Sequence, residues 1–322
     1  MTEHSQAQMH RAIFVVGCPR SGTSWVTTLI ASHPDVVMVP AETHVYRLIY
    51  EPFIDRPTWN HKRRLSSWKG ILRRYGPLPL IRGFQPPDIW RGIVRDYEIL
   101  NQPNSHGLHA LAPYPTFKKL VKAACAQPGS ELDQAEFLIT ALFNTFFEQQ
   151  GHPHQTLLEK TPMHIRYGDR ILRRFPEARL IEVIRDGRDV CASYNALAQQ
   201  QPWARIGTAG AIRQWKRCIL WGEEWRAQAE LAPRIHTVRY EALKADSYNS
   251  LQKMFNFLQL EYNEQQLQEI VQASDISEIR DKGEGQYTRK GTVGDWKNQL
   301  SEAEVAICNN IAGEQLRRLG YA

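Results

Sequence analysis

The sequence predicts an α/β fold, a mainly parallel central sheet with helices on both faces. Short strand-like segments, most of them largely apolar, recur at residues 12–16, 36–40, 156–158, 178–184 and 235–238. Segments of helical periodicity separate them, as the crossovers of parallel strands require. Short strands separated by helices imply a parallel sheet covered on both faces.

Composition narrows the class. A chain of 322 residues, 42% hydrophobic and 23% charged, can bury a full core. We expect one domain over residues 1–322. No apolar run approaches the ~18 residues that span a bilayer. Residues 1–11 are polar and lack a signal peptide's apolar core. The five cysteines, Cys18, Cys125, Cys191, Cys218 and Cys308, are odd in number and scattered. They show neither metal-ligand spacing nor a disulfide framework, so a reducing, cytoplasmic setting is expected. The net charge is +6, but residues 45–126 carry 14 Lys and Arg against 5 Asp and Glu. That segment, with His61-Lys62-Arg63-Arg64 and Arg73-Arg74, is either a solvated face or attracts an anionic acceptor or membrane surface.

The first strand, 12–16, breaks at Gly17 and Pro19. A helical pattern begins near Gly22 and runs through Trp25, Val26, Leu29 and Ile30. Strand, small-residue loop and helix N-terminus together make an anion cradle. Gly17, Gly22 and Ser24 fit the spacing of the Walker A loop, but Thr23 stands where its lysine would be, and Arg20 is the nearest cation. An ordinary strand-to-helix turn with a capping hydroxyl would have the same spacing.

The second strand stops at Pro40, and Glu42 and His44 follow it. Ligands in open α/β sheets bind beyond the carboxyl ends of strands, so both stand where chemistry is expected. Residues 45–154 are aromatic and proline-rich, too aromatic for a disordered linker. They read as an insertion of short helices and loops up to a proper amphipathic helix at 136–149. The third strand leads into Glu159-Lys160-Thr161-Pro162-Met163-His164, and 166–175 reads as a helix. The fourth leads into Arg185-Asp186-Gly187-Arg188-Asp189 and a helix through Leu197. Residues 212–229 read as a helix with Trp215, Trp221 and Trp225 in the core. The fifth strand ends in Arg239-Tyr240-Glu241. Helices are expected at 248–258, 264–273 and 302–319, and a Gly-rich loop at 281–296. Lys160, Arg185 and Arg188, with Arg289-Lys290 in that loop, are cations delivered towards the first loop. Singly each could be a surface ion pair; together they suit a polyanionic ligand.

Pro19-Arg20-Ser21-Gly22-Thr23-Ser24-Trp25 resembles the 5′-phosphosulfate loop of sulfotransferases that use 3′-phosphoadenosine 5′-phosphosulfate (PAPS). Arg185 and Ser193 resemble the family's 3′-phosphate pair. Arg289-Lys290-Gly291-Thr292-Val293-Gly294-Asp295-Trp296-Lys297 matches its RKGxxGDWK signature. The resemblance implies a P-loop-like sulfotransferase fold, PAPS as co-substrate and no metal. It assigns PAPS contacts to Arg20, Ser21, Gly22, Thr23, Ser24, Arg185, Ser193, Arg289, Lys290 and Gly291. Trp25 and Tyr240 would meet the adenine, although either could simply be a packing aromatic. Arg20 and Lys160 would stabilise charge, and Glu42 would be the base, with His164 the rival from the cytosolic branch. The C-terminal signature is similar to that branch, whereas the first loop and Glu42 are similar to the tyrosylprotein and bacterial branches. The acceptor could be a small molecule, a carbohydrate or a peptide. Two other readings stay open on the residues: a P-loop kinase or NTPase with 181–186 as its Walker B strand, and a non-catalytic polyanion-binding protein. No helix-turn-helix, zinc or RNA-binding signature points to nucleic acid.

Overall fold

The computed structural model describes residues 11–55, 85–100, 107–150, 155–274 and 291–321. Contacts divide the chain into two compact units, Val39–Pro153 and Arg11–Met38 with His154–Ala322. The second unit holds the sheet. Its strands are β1 (Ala12–Gly17), β2 (Val36–Met38), β3 (Thr156–Lys160), β4 (Arg179–Ile184) and β5 (Ile235–Arg239), in the order β2-β3-β1-β4-β5. Every pairing is parallel, as expected. β1 lies between β3 and β4, with Val15 opposite Lys160 and Gly17 opposite Val183. The connections leave β1 in both directions, so its carboxyl end is the switch point where such sheets bind ligands.

All six residues of β1 are buried, because both faces are covered. Ile13 and Val15 pack with Val26, Leu29 and Ile30 of α1 (Thr23–Ala31) and with the later helix Ser247–Leu258. Phe14 points the other way and stacks on Phe175, ring centroids 6.0 Å apart. Within this unit α1 opens on a loop from β1. A 3-10 turn, Pro162–Tyr167, follows β3, and the helix expected at 166–175 begins only at Gly168.

The first unit is more helical than its prolines suggested. A π-type turn, Tyr46–Tyr50, runs into α2 (Glu51–Ile54). Then come α3 (Pro86–Leu100), α4 (Tyr114–Cys125) and α5 (Glu131–Gln150). Pro52, Pro86 and Pro115 all sit in first turns, where a missing N–H costs nothing, so they start helices rather than break them. Tyr97 stacks on Phe117 at 4.6 Å and donates to the Ala112 carbonyl at 2.6 Å. Of the basic residues in this region, Lys118, Lys119 and Lys122 are exposed on α4. Lys62, Arg63, Arg64, Arg73 and Arg74 lie outside the described residues.

The second unit continues with α6 (Gly168–Arg174), α7 (Gly187–Leu197), α8 (Gly207–Arg226), α9 (Tyr240–Ala245), α10 (Ser247–Leu258), α11 (Glu264–Ala273), α12 (Trp296–Gln299) and α13 (Glu302–Arg318). Trp215 and Trp225 are in the core as expected. Trp221 is not: it is half-buried, with the Arg166 guanidinium 5.9 Å from its ring. A helix of this length has room for only one apolar stripe, and Trp221 falls beside it.

Candidate active site

The loop after β1 is shaped by its backbone. Gly17 has φ 147°, and a Cβ there would come 2.5 Å from the Val183 carbonyl oxygen. Only glycine lets the chain cross the end of β4 so closely. Arg20 and Gly22 follow with φ 77° and 98°. Ser21 donates its amide to the Cys18 carbonyl at 3.1 Å. Its hydroxyl lies 2.6 Å from that oxygen and 3.1 Å from the Val183 carbonyl. Both donors of Ser21 are thus turned inward, holding the cradle's shape. The first turn of α1, including Thr23 and Ser24, has amides with no acceptor inside the helix. No side chain caps it. Burial raises the Cys18 thiol well above its ordinary value, so it is an inert core group.

Arg20 is a left-handed non-glycine residue, a conformation costing about 1–2 kcal/mol. Such strain collects at functional sites. Its Nε donates to Ser193 Oγ at 3.0 Å, which brings the first loop to α7. Arg185, the residue after β4, donates from Nη2 to the Thr292 carbonyl at 2.9 Å and lies 3.6 Å from Asp189. Its guanidinium sits 4.3 Å over the Tyr240 ring. The Arg185 Nε is buried without a hydrogen-bond partner among the described residues. A buried cationic donor left open in this way fits an incoming anion.

Tyr240 is fully buried. Its hydroxyl donates to the Gly291 carbonyl at 2.9 Å, and its ring lies where a Gly22 Cβ would stand, 2.4 Å away. Burial holds its phenol above the ordinary value, with Arg185 opposing the shift. Trp25 is buried too. It meets Tyr240 edge-on at 5.7 Å and donates to the Ser274 carbonyl at 2.9 Å. Both aromatics are packed, and Tyr240 links Gly22 to Gly291.

The remaining candidates divide. Lys160 ends β3 beside Val15. His164 is 1% exposed, its Nδ1 3.0 Å from Glu159, whose other oxygen takes the Thr161 hydroxyl at 2.5 Å. Glu42 belongs to the first unit, where its carboxylate lies 3.5 Å from His44 Nε2. His44 has φ 53°, a second strained non-glycine residue. Arg289 and Lys290 lie outside the described residues. Arg188, counted among the converging cations, is instead a buried structural group. It grips Asp186 at 3.0 and 2.7 Å, reaches the Tyr321 carbonyl and faces the Trp296 ring at 3.9 Å. Asp186 is committed as well, since it caps α7 through the Arg188 amide. A metal-binding Walker B aspartate would need that carboxylate free.

Sequence reasoning passed over Asp189. One of its oxygens accepts the Gly294 amide and the other the Trp296 amide, each at 2.9 Å. Arg185 precedes the helix that carries Asp189, so no helical spacing rule pairs them, and the Gly294 and Trp296 amides come from far along the chain. No group of three or more His, Cys, Asp and Glu suited to a metal ion occurs among the described residues.

A family model described as the sulfotransferase family matches residues 12–79 and 91–264. No curated protein matches the chain. Among solved structures, mouse sulfotransferase SULT7A1 complexed with PAP is 14% identical with TM-score 0.51, covering 96% of this chain and 85% of its own. Sulfotransferase STF9 from Mycobacterium avium is 15% identical with TM-score 0.50, covering 99% and 80%. Sulfotransferase STF1 from Mycobacterium tuberculosis H37Rv is 15% identical, also at 0.50, covering 97% and 79%. These likenesses concern the fold, and the family match extends over well more than half of the 322 residues: the chain belongs to the sulfotransferase family.

Proposed function

We propose that the enzyme moves the sulfuryl group of PAPS to a hydroxyl or amine of a small-molecule, carbohydrate or peptide acceptor. The observation that carries the donor assignment is the meeting of Arg20 with Ser193 and of Arg185 with the segment after Arg289-Lys290. In this reading the first-turn amides of α1, with Thr23 and Ser24, receive the 5′-phosphosulfate. Arg185, Ser193, Arg289, Lys290 and Gly291 receive the 3′-phosphate. The family and the PAP bound to the mouse SULT7A1 structure support this choice.

Transfer forms a bond from the acceptor oxygen or nitrogen to sulfur and breaks the bond from sulfur to the phosphate oxygen. The products are the sulfated acceptor and PAP, and the acceptor's proton goes to a base. Arg20 and Lys160 stabilise the charge left on the phosphate oxygen. Glu42 takes the proton, with His44 beside it to orient and balance the carboxylate. The site is rich in cations, so the reaction runs without a metal. Five cysteines without disulfides support a reducing, cytoplasmic setting, and no helix among the described residues is long and apolar enough to cross a membrane. The test is incubation with sulfur-labelled PAPS and a cell extract. Labelled product and released PAP are expected; PAPS that is neither bound nor consumed would overturn the reading.

A further inference from the structure

We infer that Asp189 is the positioning residue of the 3′-phosphate end of the donor site, holding Arg185 and residues 291–296 in one arrangement. The inference rests on the donor reading above. The Asp189 side chain has no exposed surface. A carboxylate is costly to bury unless its charge is balanced and its oxygens are bonded. Here Oδ2 accepts the Gly294 amide and Oδ1 the Trp296 amide, and Arg185 lies 3.6 Å from Oδ2. Its place in the first turn of α7 adds the favourable end of the helix dipole.

The segment it grips is held at other points too. The carbonyl of Gly291 accepts from Tyr240, and that of Thr292 from Arg185. Arg185 and Asp189 therefore brace each other as well as the loop. The loop follows Arg289-Lys290 directly in the sequence. Asp189 itself would repel a phosphate, and both of its oxygens already accept backbone hydrogens. Its influence on the donor must pass through Arg185 and the loop. Asparagine would keep its size but lose the charge facing Arg185, and would set an NH2 group against one of the two amides.

Calorimetric titration of the full chain with PAP and with AMP, which lacks the 3′-phosphate, separates the possibilities. Wild type should prefer PAP. Asp189→Asn should lower PAP affinity about 10–100-fold, the scale of a lost charged hydrogen bond, and leave AMP affinity within about twofold. A role in general stability alone would move both ligands together or neither. An unchanged ratio of PAP to AMP affinity in a folded variant overturns the inference. No preference in wild type overturns the donor reading, and this inference with it. If the variant does not fold, hydrogen exchange of wild type decides: residues 291–296 should be protected by PAP and not by AMP, and equal protection overturns the proposal.

Discussion

Gly22→Ala tests the packing on which the anion cradle depends. Alanine meets two separate obstacles. The backbone stands at φ 98° and ψ 13°, beyond even the usual left-handed well, and forcing an L-residue there costs about 1–2 kcal/mol. The new Cβ would also stand 2.4 Å from one carbon of the Tyr240 ring and 2.7 Å from another. That ring cannot withdraw freely, because its hydroxyl is tied to Gly291 and its face to Arg185. Overpacking of this kind adds about 1–3 kcal/mol. The sum, about 2–5 kcal/mol, is a large share of a typical domain's 5–15 kcal/mol.

Urea unfolding provides the assay: the midpoint should fall with little change in slope. Tyr240→Ala supplies the second arm, since it removes the ring but leaves the backbone strain. The double variant should therefore be more stable than additivity predicts, by roughly the 1–3 kcal/mol of the steric part. A Gly22→Ala protein within about 0.5 kcal/mol of wild type would refute the argument from geometry. Strict additivity with Tyr240→Ala would refute the clash while sparing the backbone contribution.

Arg185→Ala should weaken PAP binding by about 1.5–3 kcal/mol in titration calorimetry, while Arg188→Ala should cost about 3–5 kcal/mol of stability by leaving Asp186 buried without its partner. Activity should survive EDTA; loss on chelation with rescue by Mg²⁺ would favour the NTPase reading. Burial first, and Lys253 second, hold the His236 imidazole below its ordinary value of 6.5, so the unfolded chain protonates first. The stability present above pH 6.5 is then lost as pH falls through the native value, and His236→Gln should flatten that fall in urea titrations. Glu42→Gln should reduce kcat about 10²–10⁴-fold at unchanged PAP affinity; if it keeps its turnover while His44→Asn or His164→Asn loses it, Glu42 is not the base.

The strands were legible because a sheet covered on both faces favours apolar residues at successive positions, most clearly in β1. Phe14 and Val15 face opposite sides, and both must be apolar. The helices around Pro86 and Pro115 were not, because proline punctuates helix starts and helix ends alike, and sequence alone does not say which side of it the helix lies on. Trp221 was misread for a related reason. Three tryptophans on one helix suggest one face, yet only Trp215 and Trp225 fall within the buried stripe.

The site divides along a different line. Motif spacing singled out the first loop, Arg185 and Ser193, and the structure brings Arg20 of that loop to Ser193. The count of converging cations did not separate Arg185 from Arg188, although the two stand three residues apart at the same strand end. What separates them is the partner each finds. Arg188 reaches a carboxylate two residues away and closes both contacts on it. Among the described residues Arg185 pairs with a carboxylate at 3.6 Å, and that carboxylate is already bonded to two amides. Arg185 thus keeps a buried Nε with no acceptor among the described residues, whereas Arg188 has spent its charge within the fold. The difference arises from Gly294 and Trp296, more than a hundred residues further along the chain. A cation is available for a ligand only when distant backbone amides have already claimed the anion beside it, and no local pattern records that claim.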